Sequence, residues 1–301
     1  MKAGTVAFLL LAGAVGAAAQ TAKAPLTESV TVTGARSREE QIKSFVQSRA
    51  APAVRLGKIA RWEAGICPAA TGLKPELLKF LLGRLKATAA RVGAPVNPRA
   101  SCRTNLEIVF TRAPQVLLNN VRKNQEDYLG YHASAADGDR LAKVTHAIQS
   151  WYATGTIDDN GVVQADVRRR GMPFCMDEPE CRIVTEVPPS ASNGSRLSNG
   201  LHSGFLNVMI VADSIKLSDQ EIGAVADYIS VLALSQPVSL DDCALLPSIL
   251  NLLASGCTSP PELTEADQTY LRALYRMTPD ALLAAQRDEI AYQMKRALEG
   301  R

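Results

Sequence analysis

Histidine is scarce: the chain has only His132, His146 and His202, three in 301 residues. None has a second histidine at helical spacing, and no two cysteines form the short pair of a zinc knuckle, so the sequence argues against a zinc site. No metal and no other cofactor is expected. A polybasic tract is also missing. The 33 basic and 30 acidic residues are interspersed and leave a formal charge of +3, which argues against a nucleic-acid partner. Beyond the N-terminal run no apolar stretch is long and unbroken enough to anchor the chain in a bilayer. A G-x-S-x-G elbow is absent. His202 and Ser203 precede a strand that ends at Asp213, so a Ser/His/Asp hydrolase can be written down only from adjacent side chains that rarely face each other.

What is present points to export. Lys2 is followed by an apolar run from Phe8 to Val15 and by the small residues Ala17, Ala18 and Ala19, the pattern of a signal peptide over residues 1–19 cleaved before Gln20. Residues 20–36 read as a flexible leader. Within it Glu28 to Arg36, ESVTVTGAR, resembles the recognition box of outer-membrane receptors that couple to the TonB protein, the alternatives being a linker or a first edge strand. The expected location is periplasmic or secreted.

Six cysteines, Cys67, Cys102, Cys175, Cys181, Cys243 and Cys257, are an even number behind an export signal and read as disulfides. Fifteen pairings are open. Cys67 with Cys102, Cys175 with Cys181 and Cys243 with Cys257 close short or modest loops without crossing.

With 47% apolar residues the rest, 37–301, can bury the core of one domain. Ser37 and Glu40 form a capping box for a helix to Ser48. A strand is expected at 57–62, closed by Cys67 and Pro68. Pro75 opens a helix that stops at Gly93. NLEIVFT, 105–111, reads as a buried strand, with Thr111 capping a helix at 114–123. A helix at 139–146 leads into a strand at 147–156. Asp158, Asp159, Asn160 and Gly161 form a hairpin turn, since they lack the further ligands of a calcium loop. Residues 168–200 are an irregular insertion or lid, and 205–213 is the last strand. Trp62, Trp151 and Tyr152 read as core aromatics, or as the lining of a groove.

Residues 218–236, SDQEIGAVADYISVLALSQ, organise the chain. Ser218 and Glu221 suit a capping box, and Ile222, Val225, Ala226, Ile229, Leu232 and Ala233 recur on one helical face until Pro237 ends the helix. ADYISVLAL within it resembles the helix of the metzincin zinc proteases, H-E-x-x-H-x-x-G-x-x-H. Pro247-Ser248-Ile249-Leu250 is similar to that family's methionine turn, and 263–275, from Leu263-Thr264 through Asp267 to Leu274-Tyr275, to its closing-helix motif. The resemblance implies an α+β, zincin-like mixed sheet packed on helices, with C-terminal helices, as in exported proteobacterial domains of unknown function.

The catalytic parts do not carry over. Ala226, Ser230 and Gln236 stand where the family has zinc-binding histidines, and Asp227, a methylene short of glutamate, stands at its general base. The resemblance therefore implies a non-catalytic protein that binds or scaffolds a protein or peptide of the periplasm or envelope. Its binding cleft would run beside Ala226, Asp227, Ser230 and Gln236 under the 168–200 cover. The plain alternatives are a core helix with Asp227 as a surface carboxylate, and a hydrolase of altered chemistry using Asp227, His202 or Ser203.

Overall fold

The computed structural model describes residues 37–99, 101–166 and 199–300; the expected signal peptide, the expected 20–36 leader, Cys175, Cys181 and nearly all of the expected 168–200 insertion lie outside them. Helix α1, Arg38–Arg49, opens on the expected box: Ser37 Oγ accepts from Glu40 N and Glu40 Oε2 accepts from Ser37 N at 2.8 Å. The next strand, β1, is only Ala60–Arg61, because a bridge between Pro52 and Ile59 folds the preceding residues into a turn. Cys67 and Pro68 do not end a strand. Pro68 begins one, β2, Pro68–Thr71, an outer strand whose first position tolerates a missing N–H.

Helix α2, Pro75–Val92, has proline in its first turn and ends at Gly93, whose φ of +84° is easy only for glycine. Strand β3, Leu106–Thr111, alternates buried and half-buried residues. Helix α3, Pro114–Asn124, is not capped by Thr111, whose Oγ1 accepts from Ala113 N, one residue short of the helix. The expected helix at 139–146 is displaced: α4 is Ala135–Leu141, started by a Ser134/Asp137 capping box that sequence reading missed. Strands β4, Ile148–Ile157, and β5, Val163–Ala165, flank a tight turn in which Asp158 Oδ1 accepts from Asn160 N and Val162 N.

Strand β6, His202–Asp213, is the centre of a mixed sheet ordered β2-β3-β6-β4-β5, with β1 also paired to β6. Its pairing with β1 and β3 is parallel and with β4 antiparallel. Both faces of β6 are covered. Val208, Ile210 and Ala212 enter the main core, while Met209 and Val211 enter a smaller one with Leu118, Val121 and Trp151. This two-residue alternation explains why its sequence is an almost unbroken apolar run.

Helix α5 is Ile222–Leu234, three residues shorter at its start than the capping pattern implies. Asp213 Oδ1 accepts from Ile215 N and Lys216 N and begins a series of turns that still holds Ser218, so Ser218 and Glu221 form no box. Nor is α5 amphipathic: every residue from Ala224 to Leu234 is buried. A short 3-10 helix, Ile249–Leu253, precedes α6, Glu265–Leu274, and α7, Leu283–Leu298. Thr278 and Pro279 lie in the turn before α7. Cys67–Cys102 and Cys243–Cys257 are disulfides.

Candidate functional site

The expected cleft on α5 is filled. Ala226 and Ser230 have 0% exposure, and Ser230 Oγ donates to Ala226 O at 2.7 Å, the usual satisfaction of a core hydroxyl. Asp227 is not a surface carboxylate. It is 1% exposed, takes Arg84 Nε on Oδ1 at 2.5 Å and Arg84 Nη2 on Oδ2 at 2.7 Å, and accepts Leu263 N at 2.7 Å. Three donors offset the cost of removing the charge from water, and they tie α5 to α2 and to the start of α6. With three donors on it and almost no exposure, this carboxylate is placed to join elements and not to meet a substrate.

The alternative hydrolase residues are also apart. His202 and Ser203 are successive residues of β6 and point to opposite faces, and Asp213 closes the same strand, ~35 Å away at strand rise. His132 is buried, with Nδ1 3.0 Å from Gly130 O. Among the described residues no group of histidine, cysteine and carboxylate side chains is placed to hold a metal.

A cavity of about 350 Å³ opens instead along β4, and Gln236 is the one expected cleft residue that lines it. Its floor follows from strand geometry. Asp213 N donates to Ala147 O, and Ile148 pairs with Ala212, so Ala147, Gln149 and Trp151 direct their N–H and C=O groups toward β6. Ser150 and Tyr152 direct theirs the other way. Strand β5 covers only Gly155–Ile157 on that side, and among the described residues no backbone hydrogen bond reaches Ser150 or Tyr152 there. Gly130 approaches Tyr152 O so closely that a Cβ would lie 2.2 Å away.

The two walls lie on the two faces of the sheet. Leu129, Leu141 and Trp151 form one; Tyr152, Gln236, Val238 and Leu240 belong to the other. Trp151 Nε1 donates to Leu141 O and Tyr152 Oη to Leu232 O, so both rings are fixed. Burial pushes the Tyr152 hydroxyl far up and keeps it a donor. Trp62, by contrast, is core, its indole donating to Ala233 O. Val54 and Val238 are 70% and 56% exposed at the mouth. Gln236 Oε1 is buried without a partner.

One end of the cavity carries a polar run that sequence reading missed. His146 Nε2 lies 3.0 Å from Asp241 Oδ1, and His146 Nδ1 lies 2.8 Å from Thr145 Oγ1. It joins the segment entering β4 to the segment leaving α5. His146 and Asp241 are 95 positions apart, and no local pattern announces such a pair. Thr145 is further tied to Gln149 Oε1 by its backbone N–H at 2.9 Å.

No protein family, no curated protein and no solved structure matches the chain.

Proposed function

We propose that this is an exported binding protein of the periplasm or cell envelope that captures an extended peptide segment by adding it as a strand to the open edge of β4. The observation that carries the reading is the outward backbone of Ser150, which has no backbone hydrogen bond among the described residues and lies inside an apolar-walled groove; at Tyr152 the same edge is already met by Gly130. Free sheet edges are templates for pairing, and proteins that do not use them guard them with charge, proline or cover. Residues 148–154, IQSWYAT, contain neither a charge nor a proline. The signal-like N-terminus and two disulfides support export.

Part of this reading is the likeness of the sequence motifs to those of a zinc protease that has lost its metal ligands. In support, the three stretches that carry the resemblance meet: Asp227 Oδ2 accepts Leu263 N, Ser248 Oγ donates to Asp267 Oδ1 at 2.6 Å, and Thr264 Oγ1 donates to Pro247 O. Binding is assigned to the β4 groove and not to α5, because α5 is buried all round.

The test is fluorescence anisotropy of a labelled, end-blocked hexapeptide of alternating valine and threonine. Saturable binding is expected, with loss on Ser150→Pro, which removes an outward N–H, and on Val238→Glu, which charges the mouth. No saturation, or affinity unchanged in both variants, would overturn the proposal. A hydrolase acting through the Thr145–His146–Asp241 run is the second reading. It predicts turnover of an activated ester that His146→Ala abolishes.

A further inference from the structure

We infer that Asp241 is a specificity-determining residue of the groove and that the captured segment carries a basic side chain, arginine above lysine, facing it. This rests on the strand-capture reading above. Among the described residues lining the cavity, Asp241 is the only Asp, Glu, Lys or Arg. Its side chain is 80% exposed, and its carboxylate has one hydrogen-bond partner, His146 Nε2. A carboxylate can accept about four hydrogen bonds, so most of its capacity faces solvent at the cavity's end.

A second observation points to the same ligand chemistry. Gln236 lines the cavity, and its Oε1 is a buried acceptor with no donor. Such an acceptor carries a desolvation cost that a hydrogen-bond donor relieves. Turning the amide toward the cavity would offer that oxygen to a donor-rich ligand. Between these acceptors the wall is apolar, with Val238 and Leu240 available to the methylene stem of a long basic side chain. A guanidinium presents five donors in a planar fork and can serve a carboxylate and an amide oxygen together, whereas an ammonium is a single point charge. An acidic side chain at the same place would meet a like charge and two acceptors.

The opposite end of the groove has the opposite sign. Arg55 stacks over the ring of Tyr131, which lines the cavity, with its guanidinium carbon 5.6 Å from the centroid. The Arg55 charge also bears on Asp166, whose N–H donates to Thr154 O beyond the open stretch of β4. A basic residue near Asp241 therefore sets the register of the added strand as well as its affinity.

The experiment uses the valine/threonine hexapeptide, uncharged or with one terminal position replaced by arginine or by glutamate, each charge tried at either end. The expected result is that one arginine peptide binds about tenfold tighter than its glutamate counterpart. In Asp241→Asn that preference should fall below about threefold. Equal affinities, a preference for glutamate, or a preference that survives Asp241→Asn would overturn the inference and leave strand capture standing. Failure of all peptides to bind the unaltered protein would overturn both.

Discussion

Asp227 and Asp241 show how differently one side chain can be used in two regions of the same fold. Asp227, inside the packed surroundings of α5, is 1% exposed and meets Arg84 twice and Leu263 once. Asp241, at the end of the β4 groove, is 80% exposed and meets only an imidazole. The first carboxylate is buried with three donors on it and holds elements together; the second is exposed and has most of its hydrogen-bonding capacity to offer. A function therefore belongs where polar groups and backbone are left unpaired, even though the sequence resemblance centres on the other region.

The comparison breaks most easily at Arg84. Arg84→Ala leaves Asp227 charged and buried with a single partner, and a loss of about 3–5 kcal/mol is expected in urea unfolding. Peptide binding should be retained wherever the variant is folded. A loss under ~1 kcal/mol would mean that Asp227 is hydrated and that the two regions differ less than the geometry implies.

Next in size is Cys243→Ser, which opens a loop with a sequence separation of 14 residues immediately after Asp241. A loop of this length is worth about 3 kcal/mol through the unfolded chain. Thermal unfolding should show the difference, and reductant should reduce it by destabilising the intact protein. Because the disulfide adjoins the groove wall, a parallel fall in peptide affinity would place the wall's rigidity within the binding site.

The smallest effect lies at the surface, far from either region. Lys295 and Lys43 hold the Glu39 carboxyl at about 2, below its ordinary 4.5. Its folded form loses its proton more readily than the unfolded chain, so its contribution is complete above pH 4.5 and disappears as pH falls toward about 2. Glu39→Gln should flatten the acid limb of the stability curve slightly, by lowering stability a little above pH 4.5 and leaving it unchanged near pH 2; the effect is small because exposed pairs contribute little.

Much of the architecture was readable because its causes are local. Ser37 with Glu40 and Pro75 with Gly93 define helix ends through hydrogen bonds and φ preferences acting within a few residues. The failures share a cause as well. Ser218 and Glu221 have the spacing of a capping box, but the Asp213 carboxylate turns the chain earlier. Pro68 looks like a terminator, but an outer position beside β3 accepts it as the first residue of a strand. Trp151 and Tyr152 were legible as aromatics of a strand, and Trp62 was not distinguishable from them, although only the first two border the groove.

By itself the sequence determined the positions of most helices and strands, the α+β class and the scarcity of histidine, since each depends on periodicity, caps or simple composition. Only the tertiary structure decided that Ala226, Asp227 and Ser230 are packed shut while, among the described residues, the outward backbone of Ser150 is left without a strand partner. Burial and backbone pairing are set by residues outside the local segment: Arg84 and Leu263 for Asp227, and for β4 the adjoining strand β5, whose pairing ends at Ala165 opposite Gly155.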